Sequence, residues 1–278
     1  MKLGKYEIDN VYNEDCYEAI KNIPDKSVDL VYIDIPYDLE DNGGGGCFGE
    51  KNRDYHKEYE SVSLNTNKTR VYKSVAKSID NTKEIAFGID YSILDELCRV
   101  MKNIYIYIWC SKKQLLPLMI YFIEQKKCRF ELFTWHKTNP IPTCNGKYLS
   151  DTEYCLLFRG ENTRIGGTME TKNKYYISEI NKKDKDLYDH PTIKPLEFVK
   201  NHVLNSTKEG DIVLDVFCGS GTSLVAAKQL NRHYLGFEIN PEYYKIAVDR
   251  LNGISQKDRK RKDMGILDMF DFGVEDID

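Results

Sequence analysis

The stretch from Ile212 to Leu251 constrains the fold more than any other. An apolar run, Ile212-Val213-Leu214-Asp215, stops at a carboxylate and is followed by the turn Phe217-Cys218-Gly219-Ser220-Gly221. A helical pattern from Thr222 to Leu230, a second strand pattern from His233 to Glu238, and a helix opened by Asn240-Pro241 and running to about Leu251 come next. Strand, glycine turn, helix and strand with a terminal acid form half of a doubly wound, mostly parallel α/β sheet, whose ligands bind at the carboxyl edge. The glycine turn lets backbone approach a ligand closely, and Glu238 lies 23 residues after Asp215, where ribose hydroxyls are usually held. A third glycine is missing, which disfavours a dinucleotide. Asp215 at the strand end would repel phosphate and welcome a cationic sulfonium, so the ligand chemistry points to S-adenosylmethionine (AdoMet).

The first half holds a matching strand. Val28-Asp29-Leu30-Val31-Tyr32-Ile33 ends in Asp34-Ile35-Pro36-Tyr37. Its acid, its carbonyl before proline and its aromatic ring supply two hydrogen-bond acceptors and one stacking surface, a set suited to a planar, amino-bearing ring; taken alone, the stretch also reads as a strand end with a proline turn. Other elements expected are a strand over Tyr6–Val11, a short helix opened by Asp15, a helix near Tyr91–Met101, a strand over Ile104–Trp109 and a helix from Lys112 to Glu124. Strands over Phe130–His136 and Glu153–Phe158 and a helix over Pro195–Leu204 follow. Residues 160–189 turn polar and read as a small insertion with weak structure of its own.

Charge and composition narrow the function classes. A net charge of −4 excludes a uniformly basic nucleic-acid binder, but the stretch from Lys51 to Lys77 holds seven Lys or Arg against three acids. With the glycines of 43–46 before it, residues 39–80 are expected to be a glycine-rich basic loop facing a polyanion. No apolar run reaches the ~20 residues a bilayer requires. The N-terminus lacks a secretory signal, so the chain is expected to be cytoplasmic. The eight cysteines contain no C-x-x-C pair and no Pro-Cys pair, which speaks against a zinc site, a disulfide framework or a cysteine nucleophile.

Four motifs in order carry a family resemblance. Asp215 to Ser223 resembles the AdoMet-binding motif I of amino-group DNA methyltransferases, and Asp34-Ile35-Pro36-Tyr37 resembles their catalytic Asp-Pro-Pro-Tyr tetrapeptide. His190 to Pro195 is similar to the stretch preceding motif I in the β-class, and Asn13-Glu14-Asp15-Cys16 to the motif near that class's N-terminus. Catalytic motif first and cofactor motif last is the circularly permuted β-class order, and the likeness covers roughly residues 6 to 252. Two departures stand out: Ile35 replaces the first proline of the tetrapeptide, and Val216 the proline that commonly follows the motif I acid.

The resemblance implies a seven-stranded, Rossmann-like AdoMet-dependent methyltransferase sheet formed by residues 1–159 and 190–252, with 160–189 as a target-recognition insertion and 253–278 as a charged tail. It implies that Asp34, Ile35, Pro36 and Tyr37 are catalytic. It assigns to the cofactor Asp15 and Cys16, Asp34, Thr192 and Lys194, Asp215, Phe217, Cys218, Gly219, Ser220, Gly221 and Thr222, then Glu238 and Asn240. Trp135, at the position resembling motif VIII, is assigned as a second wall for the target base, with Lys137 and Asn139 beside it as DNA contacts.

The reaction implied is transfer of a methyl group from AdoMet to the N6 amino group of an adenine flipped out of duplex DNA, as in restriction–modification. The alternatives are transfer to cytosine N4 and a non-catalytic AdoMet- or DNA-binding module. Besides double-stranded DNA, the partners expected are a second copy of the chain and, through residues 266–272, where Leu-Asp-Met-Phe resembles a clamp-binding peptide, a replication sliding clamp.

Overall fold

The computed structural model describes residues 1–37, 89–140, 148–180, 193–255 and 258. The chain begins with a small antiparallel pair, β1 (Lys2–Leu3) and β2 (Tyr6–Glu7), and enters the main sheet at β3 (Asn10–Tyr12). One strand was expected over Tyr6–Val11, but Asp9 adopts φ 63° and divides it. Asp tolerates this left-handed conformation, and here its Oδ1 accepts the Tyr234 amide at 3.2 Å.

After α1 (Cys16–Ala19) come β4 (Leu30–Asp34), α2 (Ile93–Val100), β5 (Tyr105–Cys110) and α3 (Lys112–Met119). The helix expected to run on to Glu124 changes after Met119 into a π-helical turn, Ile120–Gln125. Pro117 sits inside α3 and removes one donor from the i→i−4 ladder just before the change. Next follow β6 (Arg129–Lys137), β7 (Thr152–Arg159), β8 (Tyr175–Ser178), α4 (Leu196–Ser206), β9 (Ile212–Asp215), α5 (Thr222–Gln229), β10 (His233–Phe237) and α6 (Pro241–Leu251).

The sheet runs β3-β10-β9-β4-β5-β7-β6-β8 and is parallel except for β7. It therefore has eight strands where seven were expected. The additional one lies in the segment read as weakly structured: β8 pairs in parallel with β6, Trp135 opposite Tyr176. Only Tyr175–Ser178 forms that strand, too short a run among polar neighbours to stand out in sequence, and it is stabilised by pairing with an existing edge.

The central strands are buried on both faces. Val31 and Ile33 of β4 belong to a cluster with Leu94 and Leu97 of α2. Leu30 and Tyr32, pointing the other way, join Val199 and Val203 of α4 and Leu224 of α5. Such two-sided burial is why β4 and β9 read as continuous apolar runs. β4 and β9 are hydrogen-bonded neighbours, Leu30 opposite Val213 and Val31 opposite Leu214. From that pair the chain order departs in opposite directions, through β10 to β3 on one side and through β5 on the other. This is the topological switch point of the sheet, and it sets Asp34 and Asp215 at adjacent strand ends. The basic loop expected over 39–80 lies outside the described residues, as do Thr192 and the tail motif of 266–272. No helix among the described residues is long and apolar enough to cross a membrane.

Candidate active site

Strand β4 delivers Asp34 to the carboxyl edge, and its register continues beyond the strand. Asp34 lies opposite Trp109, and the Ile35 amide donates to the Trp109 carbonyl at 3.2 Å. The following carbonyl, that of Pro36, accepts from Gln114 Nε2 at 2.8 Å. Gln114 is itself fixed by the capping box that opens α3, its Oε1 accepting the Ser111 amide at 2.9 Å. The tetrapeptide is thus held at two successive residues by β5 and α3.

Asp34 Oδ2 receives the Lys194 ammonium at 2.6 Å, whereas Asp34 Oδ1 is buried with no hydrogen-bond partner among the described residues. Lys194 also reaches Glu153 Oε2 at 3.0 Å, and Glu153 Oε1 takes Lys137 at 2.5 Å. The Tyr37 hydroxyl donates to Glu153 Oε2 at 3.2 Å. Burial pushes the Asp34 carboxyl up, with Lys194 opposing it. Glu153 is the less exposed of the two, yet two lysines outweigh the desolvation and hold its carboxyl at about 2.

The neighbouring half of the site is built by β9, β10 and the turn between β9 and α5. Asp215 Oδ1 accepts the Phe217 amide at 3.0 Å, and its Oδ2 accepts the Ser223 hydroxyl. Burial pushes the Asp215 carboxyl up to about 7 against these two hydrogen bonds. Gly219 and Gly221 have φ of 50° and 74°, so this turn uses the conformational freedom of glycine. Glu238 bridges the turn to α6: its Oε2 accepts the Gly219 amide at 2.8 Å and its Oε1 the Asn240 amide at 2.9 Å.

The two halves line one cavity of about 480 Å³. Its wall includes Asp15, Cys16, Asp34 to Tyr37, Lys194, Asp215, Phe217 to Ser220, Thr222 and Glu238. The space offers the carboxyl groups of Asp15, Asp34, Asp215 and Glu238 at strand and helix ends, with Val216, Phe217 and Ile239 also in its wall. It fits a ligand with a cationic centre, a diol and a planar heterocycle, as AdoMet has.

Most of the expected site residues therefore meet. Asp15 is also the N-cap of α1, accepting the Tyr17 amide at 2.9 Å, so its capping and cavity-lining roles coexist. Gly221 and Asn240 stand outside the wall: Gly221 packs against Ala247, and Asn240 caps α6. Trp135, expected as a second aromatic wall, does not line this cavity. It is 3% exposed in the core, its indole donating to Ser178 Oγ at 2.9 Å, while the tryptophan in the cavity is Trp109. Register places Trp135 opposite Glu153 and on the same face as Trp109, but β6 lies one strand beyond β7, further from the switch point than β5. Lys137 reaches the site only through Glu153, and Asn139 Oδ1 accepts the Ile180 amide at 2.7 Å.

Sequence reasoning missed Glu153, Trp109, Gln114 and Tyr17. The first two read as ordinary strand residues. A charged residue at the start of a strand otherwise apolar over Cys155–Phe158 was the only signal for Glu153.

Comparison with known proteins agrees with this geometry. A family model described as DNA methylase, covering N6 and N4 methyltransferases, matches residues 28–249. The chain is 26% identical over 264 residues to the Type II methyltransferase M2.DpnII of Streptococcus pneumoniae, spanning 86% of this chain and 88% of that protein. It is likewise 26% identical over 274 residues to M2.LlaDCHI of Lactococcus lactis subsp. cremoris, spanning 89% and 91%. Among solved structures, the PvuII DNA methyltransferase (cytosine-N4-specific) superposes with a TM-score of 0.63 at 15% identity, over 95% of each chain. The M1.HpyAVI–SAM complex does so with a TM-score of 0.54 at 24% identity, over 87% of this chain and 98% of that one.

Proposed function

Since the chain belongs to the DNA methylase family of N6 and N4 methyltransferases, we propose that it methylates the N6 amino group of adenine at specific sites in double-stranded DNA. AdoMet supplies the methyl group as an electrophile beside the Asp215–Glu238 half of the cavity. The observation that carries the reading is the state of Asp34: one carboxylate oxygen is held by Lys194 and the other is buried in the site with no hydrogen-bond partner among the described residues. A buried acceptor without a donor costs free energy unless a ligand supplies the donor. An exocyclic amino group does so.

The adenine amino nitrogen is a weak nucleophile because its lone pair is delocalised into the ring. Asp34 Oδ1 and the Ile35 carbonyl, accepting its two N–H bonds out of the ring plane, draw the nitrogen toward tetrahedral geometry and free the lone pair for in-line attack. The proton released from the methylated nitrogen passes to Asp34 or to water. Neither a covalent intermediate nor a cysteine is required, and the buried thiols of Cys110, Cys155 and Cys218 are all pushed up, that of Cys110 to about 12. A base inside a duplex cannot reach this cavity, so flipping is part of the reading, with Tyr37 as the stacking surface.

Adenine is favoured over cytosine because Asp34 stands where β-class cytosine enzymes usually carry serine. The names of the Type II relatives support a role in restriction–modification. Roles for the sliding clamp and for a second copy of the chain stay with this reading as proposals. Incubating the protein with methyl-labelled AdoMet and duplex DNA, then digesting the DNA to nucleosides, tests it directly. Label in N6-methyl-2′-deoxyadenosine is expected; label in N4-methyl-2′-deoxycytidine, or none, overturns the adenine assignment.

A further inference from the structure

Lys194 carries a role different from the one its motif suggested. It precedes α4, is 6% exposed, and is joined to two acids from different parts of the sheet, Asp34 of β4 and Glu153 of the antiparallel β7. Its ammonium also lies 5.2 Å from the Tyr37 ring centre and 5.3 Å from that of Trp109. A buried ammonium so surrounded is committed to its acids, because leaving either one unpaired in a dry site is costly. Lys137 completes the balance: two carboxylates and two ammonium groups form one neutral set.

We propose that Lys194 is a positioning residue for methyl transfer, not a cofactor ligand: it occupies Asp34 Oδ2 so that Oδ1 alone meets the target amino group, and Glu153 holds Lys194 in place. Three consequences follow from the geometry. The carboxylate of Asp34 cannot rotate without breaking the 2.6 Å contact, so the free oxygen has a fixed direction. Its ionised form is favoured by the adjacent cation and by the Tyr37 hydroxyl, against burial and the negative charge of Glu153, with Cys110 and the neighbouring Asp215 also facing it. Glu153 couples this arrangement to the stacking surface, since it also receives the Tyr37 hydroxyl.

The inference rests on the adenine-methylation reading, and the experiment separates the two. Full-length wild type, Lys194→Met, Lys194→Arg and Glu153→Gln are compared for equilibrium AdoMet binding and for single-turnover methylation of duplex DNA from about pH 5 to 9. Lys194→Met is expected to slow transfer about 10²-fold at neutral pH, the loss typical of removing one preorganised electrostatic group. Its AdoMet affinity should stay within about threefold of wild type. The acid limb of its pH–rate profile should move to higher pH, because Asp34 has lost the cation that favours its ionised form. Lys194→Arg should return the limb toward the wild-type position, which a merely structural loss would not allow. Glu153→Gln should shift the limb less than Lys194→Met.

A loss of AdoMet affinity in step with the loss of rate would make Lys194 a cofactor ligand and overturn the inference. So would a slowed Lys194→Met enzyme whose acid limb is unmoved. Wild-type protein that transfers no methyl group overturns the functional reading itself.

Discussion

The Ile35 amide donates to the Trp109 carbonyl at 3.2 Å, extending the β4–β5 ladder one residue beyond the Asp34–Trp109 pair. Proline, which this position carries in the tetrapeptide the chain resembles, has no such donor. The turn here is held by a ladder bond and by burial of the Ile35 side chain, 1% exposed, where the related turn relies on a fixed φ.

Ile35→Pro should therefore lose a hydrogen bond and some packing while gaining from a stiffer unfolded chain. About 1 kcal/mol is lost with the bond and about 1 kcal/mol with the buried side-chain packing, against about 0.4–1 kcal/mol returned by the proline, so a net destabilisation of about 1 kcal/mol is expected, read from the urea midpoint. Turnover should remain within about threefold. A drop beyond tenfold with intact AdoMet binding would show that the ladder bond positions the catalytic carbonyl in a way proline cannot.

Asp34→Ala removes both the free acceptor and one partner of Lys194, which keeps Glu153. Single-turnover methylation should fall by at least about 10²-fold, with AdoMet affinity changed by less than about threefold. Retained methylation would remove Asp34 from its assigned role.

Asp215 gives the free protein and its cofactor complex opposite pH dependences. Its carboxyl, raised to about 7, keeps a proton in the fold that the unfolded chain releases near pH 4. Stability should therefore fall as pH rises from about 4 to 7 and level off above. A cationic ligand favours the ionised form, so AdoMet affinity should rise through the same region to a plateau above pH 7, with proton release on binding. Titration calorimetry in two buffers of different ionisation enthalpy checks the proton, and Asp215→Asn should lose both trends.

Glu238 ties the Gly219 amide to the Asn240 amide through its two carboxylate oxygens. Replacing it with Gln forces one of the amides to lose its acceptor. Glu238→Gln is expected to weaken AdoMet binding about tenfold and to lower stability by about 1 kcal/mol, measured by calorimetry and thermal unfolding. Unchanged affinity would separate this carboxylate from the ribose site.

Gly221 has φ 74°, and a Cβ there would lie 3.2 Å from Ala247 Cβ in α6. Gly221→Ala should cost about 1–2 kcal/mol for the left-handed backbone, lowering the melting temperature by several degrees. AdoMet binding should weaken only as far as the turn moves, since Gly221 does not line the cavity.

The legible parts of the chain were those where one local pattern implies one structure. β4 and β9 are buried on both faces and are therefore uninterrupted apolar runs. The Phe217–Gly221 turn announces itself because left-handed backbone and close approach call for glycine. β8 was missed because four residues at an edge owe their structure to a neighbour, and the break at Asp9 because its φ is stabilised by Tyr234, far away in sequence.

By itself the sequence determined the doubly wound architecture, the tetrapeptide at Asp34 and the cofactor turn at Asp215, since each is written in contiguous residues whose backbone demands are local. Only the tertiary structure decided that Lys194 pairs with Asp34 and Glu153, that Trp109 and not Trp135 lines the cavity, and that Asp34 keeps one oxygen without a partner among the described residues. Those facts depend on strand register and on which face a helix covers, and neither is fixed until residues 160 positions apart, Asp34 and Lys194, are brought within 2.6 Å.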